Sequence, residues 1–192
     1  MSYDEPPKAE EAGLILVGGG ARSGKSAFAL DRARRAGRRQ VYVATAEPGD
    51  DEMRERIARH RAERGDDLET IEEPLDLAAA LRRSAAADVV VVDCLTLWLA
   101  NLLVRGDAPE EVLARLDEAL AAPRAPCAIV VTNEVGMGIV PDSPLGRAFR
   151  DLAGRAHQRL AAAADEIHVA ILGTVLRVRP QPIVESAPRD AR

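Results

Sequence analysis

Eight consecutive residues, Gly19-Gly20-Ala21-Arg22-Ser23-Gly24-Lys25-Ser26, fit the pattern G-x-x-x-x-G-K-[ST]. The chemistry served by this spacing is the gripping of a nucleoside triphosphate. Glycines let the backbone curl until several N–H groups point inward at an anion. A helix that starts just beyond adds its positive N-terminal end. Lys25 supplies a full charge for the β- and γ-phosphates, and the Ser26 hydroxyl suits a Mg²⁺ ligand. The flanks agree, because residues 14–18 read as a strand and Ala27 onward as a helix. A glycine-rich turn that binds nothing is the competing reading, and it does not require such flanks.

A second candidate is the run Val89-Val90-Val91-Val92-Asp93. It reads as a buried strand that ends in an acid. In open α/β sheets the ligand side is the carboxyl end of the strands. There Asp93 can support Mg²⁺ directly or through water. Taken alone, an aspartate at a strand end serves equally as a cap or a turn residue. Together with the cradle, metal support is the better reading.

The third candidate is His60, within DDEMRERIARHRAER at 50–64. The plain reading of so charged a helix is a solvated rod with i,i+4 ion pairs. Yet Met53, Ile57 and His60 recur at helical spacing and share one stripe. Arg56 and Arg64 flank His60 at four residues on either side. Neighbouring guanidinium groups disfavour the protonated imidazole, and a neutral imidazole is a competent nucleophile. Spacing alone leaves His60 open between a ligand-facing or structural histidine and a covalent catalyst. His157 and His168 lack such a setting and read as surface or packing residues.

Positioning these groups calls for a sheet. The apolar runs 14–17, 41–44, 89–92 and 128–131, with a less uniform fifth at 167–172, are rich in Val and Ile and nearly continuous. Strands buried on both faces of a parallel sheet read this way. Helical segments lie between them at 26–36, 50–64, 75–86, 95–103, 109–121 and 145–164. The alternation predicts an α/β fold, a doubly wound and mostly parallel sheet with flanking helices of the P-loop NTPase, RecA-like kind. The expected layout is a disordered tail at 1–13, one nucleotide-binding transferase domain at 14–179 and a frayed tail at 180–192.

Bulk composition narrows the function classes. The 192 residues suit one compact domain. Aromatics are only 3%, so the core must rest on Ala, Leu, Val and Ile. A net charge of −5 argues against a general nucleic-acid binder. Cys94 and Cys127 sit in or beside apolar runs and read as buried free thiols. No segment resembles a signal peptide or a membrane span, so the cytoplasm is the expected location.

At this point the residues match a family. The chain resembles the bifunctional adenosylcobinamide kinase / adenosylcobinamide-phosphate guanylyltransferases of cobalamin biosynthesis. The resemblance rests on the cradle, on Val43-Ala44-Thr45, on Asp51-Glu52-Met53 followed by Arg56-Ile57 and His60, and on Glu72-Glu73-Pro74. It continues through Asp93-Cys94-Leu95-Thr96, Thr132-Asn133-Glu134-Val135-Gly136-Met137-Gly138-Ile139-Val140-Pro141 and Arg150-Asp151-Leu152-Ala153-Gly154-Arg155. It spans residues 14–173 in order. A P-loop alone is generic, whereas the Arg56–His60 segment combined with the 133–141 run is far more specific.

The resemblance implies two reactions. A γ-phosphoryl group moves from ATP or GTP to the hydroxyl of the cobinamide aminopropanol arm. GTP then guanylylates a histidine, and the GMP passes to adenosylcobinamide phosphate to give adenosylcobinamide-GDP. It further implies that His60 is the guanylylated residue. Ala44, Thr45, Ala46, Arg61, Ala62, Glu63, Arg64 and Glu72 are then implied to help hold nucleotide, with Mg²⁺ at Ser26 and Asp93 and a homotrimeric assembly. The 133–141 run follows a strand at the ligand edge and suits either the corrinoid arm or a purely structural turn. No residue stands out as the kinase general base. Gly18 departs from a frequent Thr and His157 from a frequent Asn, and Thr-Val-Leu-Arg-Val-Arg after Gly173 departs from the usual ending. Those departures bear on corrinoid preference and oligomer contacts, not on the cradle or His60.

Two rivals remain. A P-loop small-molecule kinase without guanylyltransferase activity needs the cradle and Asp93 but not His60. A non-enzymatic nucleotide switch would carry the guanine-reading Asn-Lys-x-Asp, which is absent, and Glu134 stands where its Lys would be.

Overall fold

A computed structural model describes residues 13–49, 51–64, 68–180 and 183–186, with no account of the side chains at 52, 56, 60, 62–64 and 183–186. The elements run β1 (Leu14–Gly19), α1 (Lys25–Ala36), β2 (Gln40–Ala44), α2 (Asp51–Arg64), β3 (Glu69–Glu72), α3 (Leu77–Arg83) and β4 (Val89–Asp93). They continue with α4 (Leu95–Val104), α5 (Pro109–Ala121), β5 (Cys127–Val131), α6 (Pro144–Ala163), β6 (Glu166–Ile171), β7 (Thr174–Arg179) and β8 (Ile183–Ser186). The eight strands form one sheet in the order β3-β2-β4-β5-β1-β6-β7-β8.

The first six strands in that order pair in parallel. β7 and β8 extend the sheet antiparallel. This is the doubly wound, mostly parallel α/β sheet that the alternating runs predict. Alternation along each strand splits the core in two. Leu14, Leu16, Val41, Val43, Val90, Val92, Ala128 and Val130 meet the α3–α6 side. Ile15, Val17, Tyr42, Val89, Val91, Ile129 and Val131 meet Phe28, Ala29 and Ala33 of α1. The lone tryptophan, Trp98 of α4, is buried and donates its indole N–H to Leu75 O at 2.9 Å.

Three features depart from the sequence reading. β3 was not anticipated, because its burial alternates and only Ile71 turns inward. The run after Gly173 forms β7, which returns antiparallel along β6 through a turn at Leu172 and Gly173. The tail expected to fray from Pro180 instead pairs over Ile183–Ser186, where β8 hydrogen-bonds along β7. Of the expected tail at 1–13 all but Gly13 lies outside the described residues, as do residues 187–192. Both cysteines are buried and free, as expected.

Candidate nucleotide site

The cradle forms at the C-terminal end of β1. Gly24 caps α1 with φ of 90°, a conformation that disfavours side chains. Gly19 has φ of 154°, and a Cβ there would lie 2.5 Å from Ala170 O and 2.8 Å from Ser23 Oγ. Those two positions explain why the loop needs glycine at both ends. Arg22 also takes a positive φ of 54°, a strained geometry held by the loop around it. Gly20, Ala21 and Arg22 are exposed at the loop tip.

Lys25 opens α1, and its Nζ curls back to donate to Gly20 O at 2.9 Å. The side chain is buried, which is costly for an ammonium unless anions or carbonyls receive it. Ser23 Oγ is also buried and finds no partner among the described residues. An orphaned hydroxyl inside such a loop fits a ligand that brings its own acceptors. Ser26 follows on the first turn of α1, partly exposed.

Asp93 closes β4 on the α1 side of the sheet, following Val89 and Val91 on that face. Tyr42 donates its O–H to Asp93 Oδ2 at 2.9 Å. Lys25 sits near enough to lower the Cys94 thiol pKa slightly. Burial first and the Asp93 charge second outweigh that effect and push the thiol up to about 11. Cradle and acid therefore share one edge, as their spacing predicts. For Mg²⁺, which keeps most of its waters and takes one or two carboxylates plus phosphate oxygens, Ser26 and Asp93 are a suitable pair of hard oxygen donors. Among the described residues no cluster of three or more His, Cys, Asp or Glu could enclose a metal by itself.

Ala44 ends β2 and pairs in register with Asp93. Thr45 is fully buried and works as a clip. Its hydroxyl donates to Cys94 O and accepts from Cys94 N, each at 2.8 Å. Asn101, which carried no sequence signal, donates to Thr45 O at 2.8 Å and Pro74 O at 3.1 Å. Thr45 is thus committed to the frame, and its neighbour Ala46 stands on the exit from β2.

His60 lies in the last half of α2, and its side chain is outside the described residues, as are those of Ala62, Glu63 and Arg64. Met53 and Ile57, the other members of its stripe, are half-buried, while Arg54, Glu55, Ala58 and Arg59 are exposed. Met53 and Ile57 therefore face the protein. One turn beyond Ile57, Arg61 Nη1 lies 3.8 Å from Glu72 Oε1 of β3. Two residues that the resemblance assigns to nucleotide are so brought together, both still open to solvent.

Beyond β5 the chain returns to the cradle. Glu134 N donates to Gly19 O at 2.9 Å. Asn133 is held by Thr96, with Nδ2 to Oγ1 at 2.9 Å and its backbone N at 3.1 Å. His157, expected to be a surface or packing residue, has Nε2 2.7 Å from Thr132 Oγ1 and Nδ1 3.8 Å from Glu134 Oε2. His168 is a packing residue, buried against Phe28 with ring centroids 5.0 Å apart and bonded to Glu166 at 2.9 Å.

The model of the family described as cobinamide kinase / cobinamide phosphate guanyltransferase matches residues 15–178. The chain belongs to this family. It is 42% identical over 174 residues to the bifunctional adenosylcobalamin biosynthesis protein CobP of Pseudomonas aeruginosa, across 88% of this chain and 98% of that one. It is 41% identical over 182 residues to the bifunctional adenosylcobalamin biosynthesis protein CobU of Escherichia coli, across 86% and 99%. Among solved structures, an ATPase of a bacterial type III secretion system superposes with a TM-score of 0.51 at 15% identity, covering 91% of this chain and 57% of that one. That last likeness concerns the fold alone. No helix among the described residues is long and apolar enough to cross a membrane.

Proposed function

We propose that this chain carries out both reactions of its family on one nucleotide site. It phosphorylates the hydroxyl of adenosylcobinamide with ATP or GTP. It then passes GMP from GTP, through a guanylylated His60, to adenosylcobinamide phosphate, giving adenosylcobinamide-GDP. The observation that carries this reading is a phosphate cradle complete in sequence and conformation, within a chain that matches the family over 15–178.

In this reading the backbone N–H groups of 19–26 and Lys25 receive the phosphates. Lys25 leaves Gly20 O and follows the charge that builds on the transferred group. Ser26 and Asp93 would hold Mg²⁺, which would offset the negative charge of the phosphates. Tyr42 keeps the Asp93 carboxylate oriented.

Guanylylation needs the His60 imidazole neutral. Its nitrogen bonds to the α-phosphorus, the bond to the β-phosphate oxygen breaks, and pyrophosphate leaves. Attack by the phosphate of adenosylcobinamide phosphate then breaks the histidine–phosphorus bond and frees the ring. Splitting one displacement into two is what a covalent intermediate contributes. Arg61, Ala62, Glu63, Arg64 and Glu72 hold the guanine nucleotide, and Ala44 and Ala46 line its approach while buried Thr45 holds the strand end beneath them. α2 turns Arg54, Glu55, Ala58 and Arg59 to solvent, and so charged a helix can move over the cradle at small cost in buried apolar surface. The same reading takes the enzyme as a cytoplasmic homotrimer.

The test is incubation with GTP labelled at the α-phosphate. An acid-labile, base-stable label on the chain, lost in His60→Ala, is the expected result. An unlabelled wild-type chain that still phosphorylates cobinamide would reduce the function to the kinase step.

A further inference from the structure

Alcohol phosphorylation releases a proton, and the sequence names no group to receive it. We propose that Glu134 is that group: it accepts the proton of the corrinoid hydroxyl in the kinase step. The inference rests on the kinase activity proposed above and adds a catalytic residue to it.

The loop after β5 is fastened to the cradle twice. Thr132 N donates to Val17 O and Glu134 N to Gly19 O, each at 2.9 Å. Glu134 therefore stands beside the first glycine of the phosphate loop. One hydrogen bond fixes its carboxylate, and an imidazole stands beside it. Gly136 N donates to Oε1 at 2.6 Å, and His157 Nδ1 lies 3.8 Å from Oε2. The side chain nonetheless keeps 37% of its surface open, so a substrate hydroxyl can reach it.

Burial holds the His157 imidazole below its ordinary range against the opposing pull of Glu134. Its Nε2 pairs with the Thr132 hydroxyl at 2.7 Å, which keeps the ring beside the Glu134 carboxylate.

Other carboxylates near the same edge are committed. Asp93 accepts from Tyr42. Glu47 pairs with Arg105 at 2.5 Å, and Glu72 with Arg61 at 3.8 Å. The same loop continues into Met137 and Ile139, exposed at 90% and 96%. An acceptor with an apolar macrocycle and a hydroxyl-bearing arm presents the two surfaces this loop offers.

The step balances. The hydroxyl oxygen bonds to the γ-phosphorus, and the bond from that phosphorus to the β,γ-bridging oxygen breaks. Nucleoside diphosphate leaves, and the proton passes to Glu134, which returns it to water.

The experiment compares wild type, Glu134→Gln and Glu134→Asp in cobinamide phosphorylation by ATP and in His60 labelling from GTP. Wild type that fails to phosphorylate cobinamide sinks the kinase reading itself. Given wild-type activity, Glu134→Gln is expected to lower kinase kcat about 100-fold, as loss of a general base does. Its KM for ATP and its guanylyl labelling stay within about twofold of wild type. Glu134→Asp, which keeps the carboxylate, recovers part of kcat. An unchanged kcat in Glu134→Gln overturns the inference. So does labelling that falls in step with kcat, because Glu134 would then act through the cradle's frame. An Asp variant no better than Gln overturns it as well.

Discussion

Tyr42 and Asp93 form a buried-to-open pair across neighbouring strands. The phenol of Tyr42, 3% exposed on β2, donates to Asp93 Oδ2 at 2.9 Å at the rim of β4. One carboxylate oxygen is thereby fixed while the group stays at the ligand edge. Tyr42→Phe removes the hydroxyl and little else. We expect the Mg²⁺ concentration for half-maximal kinase activity to rise several-fold and stability to fall by about 1 kcal/mol. Magnesium titration and urea unfolding read the two effects. An unaltered Mg²⁺ requirement would detach Tyr42 from metal support.

Lys25→Ala is expected to abolish both reactions together, because one cradle serves both. Losing a charge aimed at the transferred phosphoryl group lowers turnover by at least about 100-fold. The fold should persist, since the Nζ contact to Gly20 O belongs to the loop alone. Kinase turnover, guanylyl labelling and a thermal melt separate the outcomes. Loss of the kinase step with full labelling would mean that GTP is gripped elsewhere.

Much of this site was legible in the sequence, for a physical reason. Phosphate cradles are local, so eight adjacent residues specify strand end, turn and helix start together. Asp93 was legible because a four-valine strand can only end at an edge. Tyr42, Asn101 and His157 were not, because each acts across the sheet or between elements on a partner far away in the chain. Thr45 was expected on nucleotide, yet its hydroxyl is spent on Cys94. The fold was read wherever strands are buried on both faces. β3 was missed because an edge strand with one inward residue carries almost no apolar signal. The β6–β7 turn was missed because it places Leu172 at φ 51°, where Asn or Gly would have announced a hairpin.

The two thiols should be inert in the folded enzyme. Burial, with the Asp93 charge added for Cys94, pushes Cys94 to about 11, and burial likewise pushes Cys127 to about 11. Thiolate, the reactive form, is then scarce at neutral pH, and both sulfurs are enclosed. Iodoacetamide at pH 7.5 is expected to alkylate neither residue natively and both in urea, as peptide mass spectrometry will show. Rapid native labelling of Cys94 would mean that the β4 edge opens far more readily than its Thr45 clip allows.

Beneath α1, Glu166 bonds Arg32 and His168, each at 2.9 Å. Burial by itself would raise its pKa, but the His168 hydrogen bond and the Arg32 charge together hold it below the ordinary glutamate range. A carboxylate depressed in the folded state stabilises fully above its unfolded pKa, near 4.3. That stabilisation is lost as pH falls through the folded value. Glu166→Gln leaves Arg32 without its anion and is expected to cost about 3 kcal/mol at pH 7. As pH falls through that lowered value the wild-type carboxyl takes up its proton, so the gap between the two proteins should close. Urea unfolding at pH 7, 5, 4 and 3 measures that convergence. A gap that stays constant across the series would show that Glu166 supports α1 by shape and hydrogen bonding, with its charge contributing nothing.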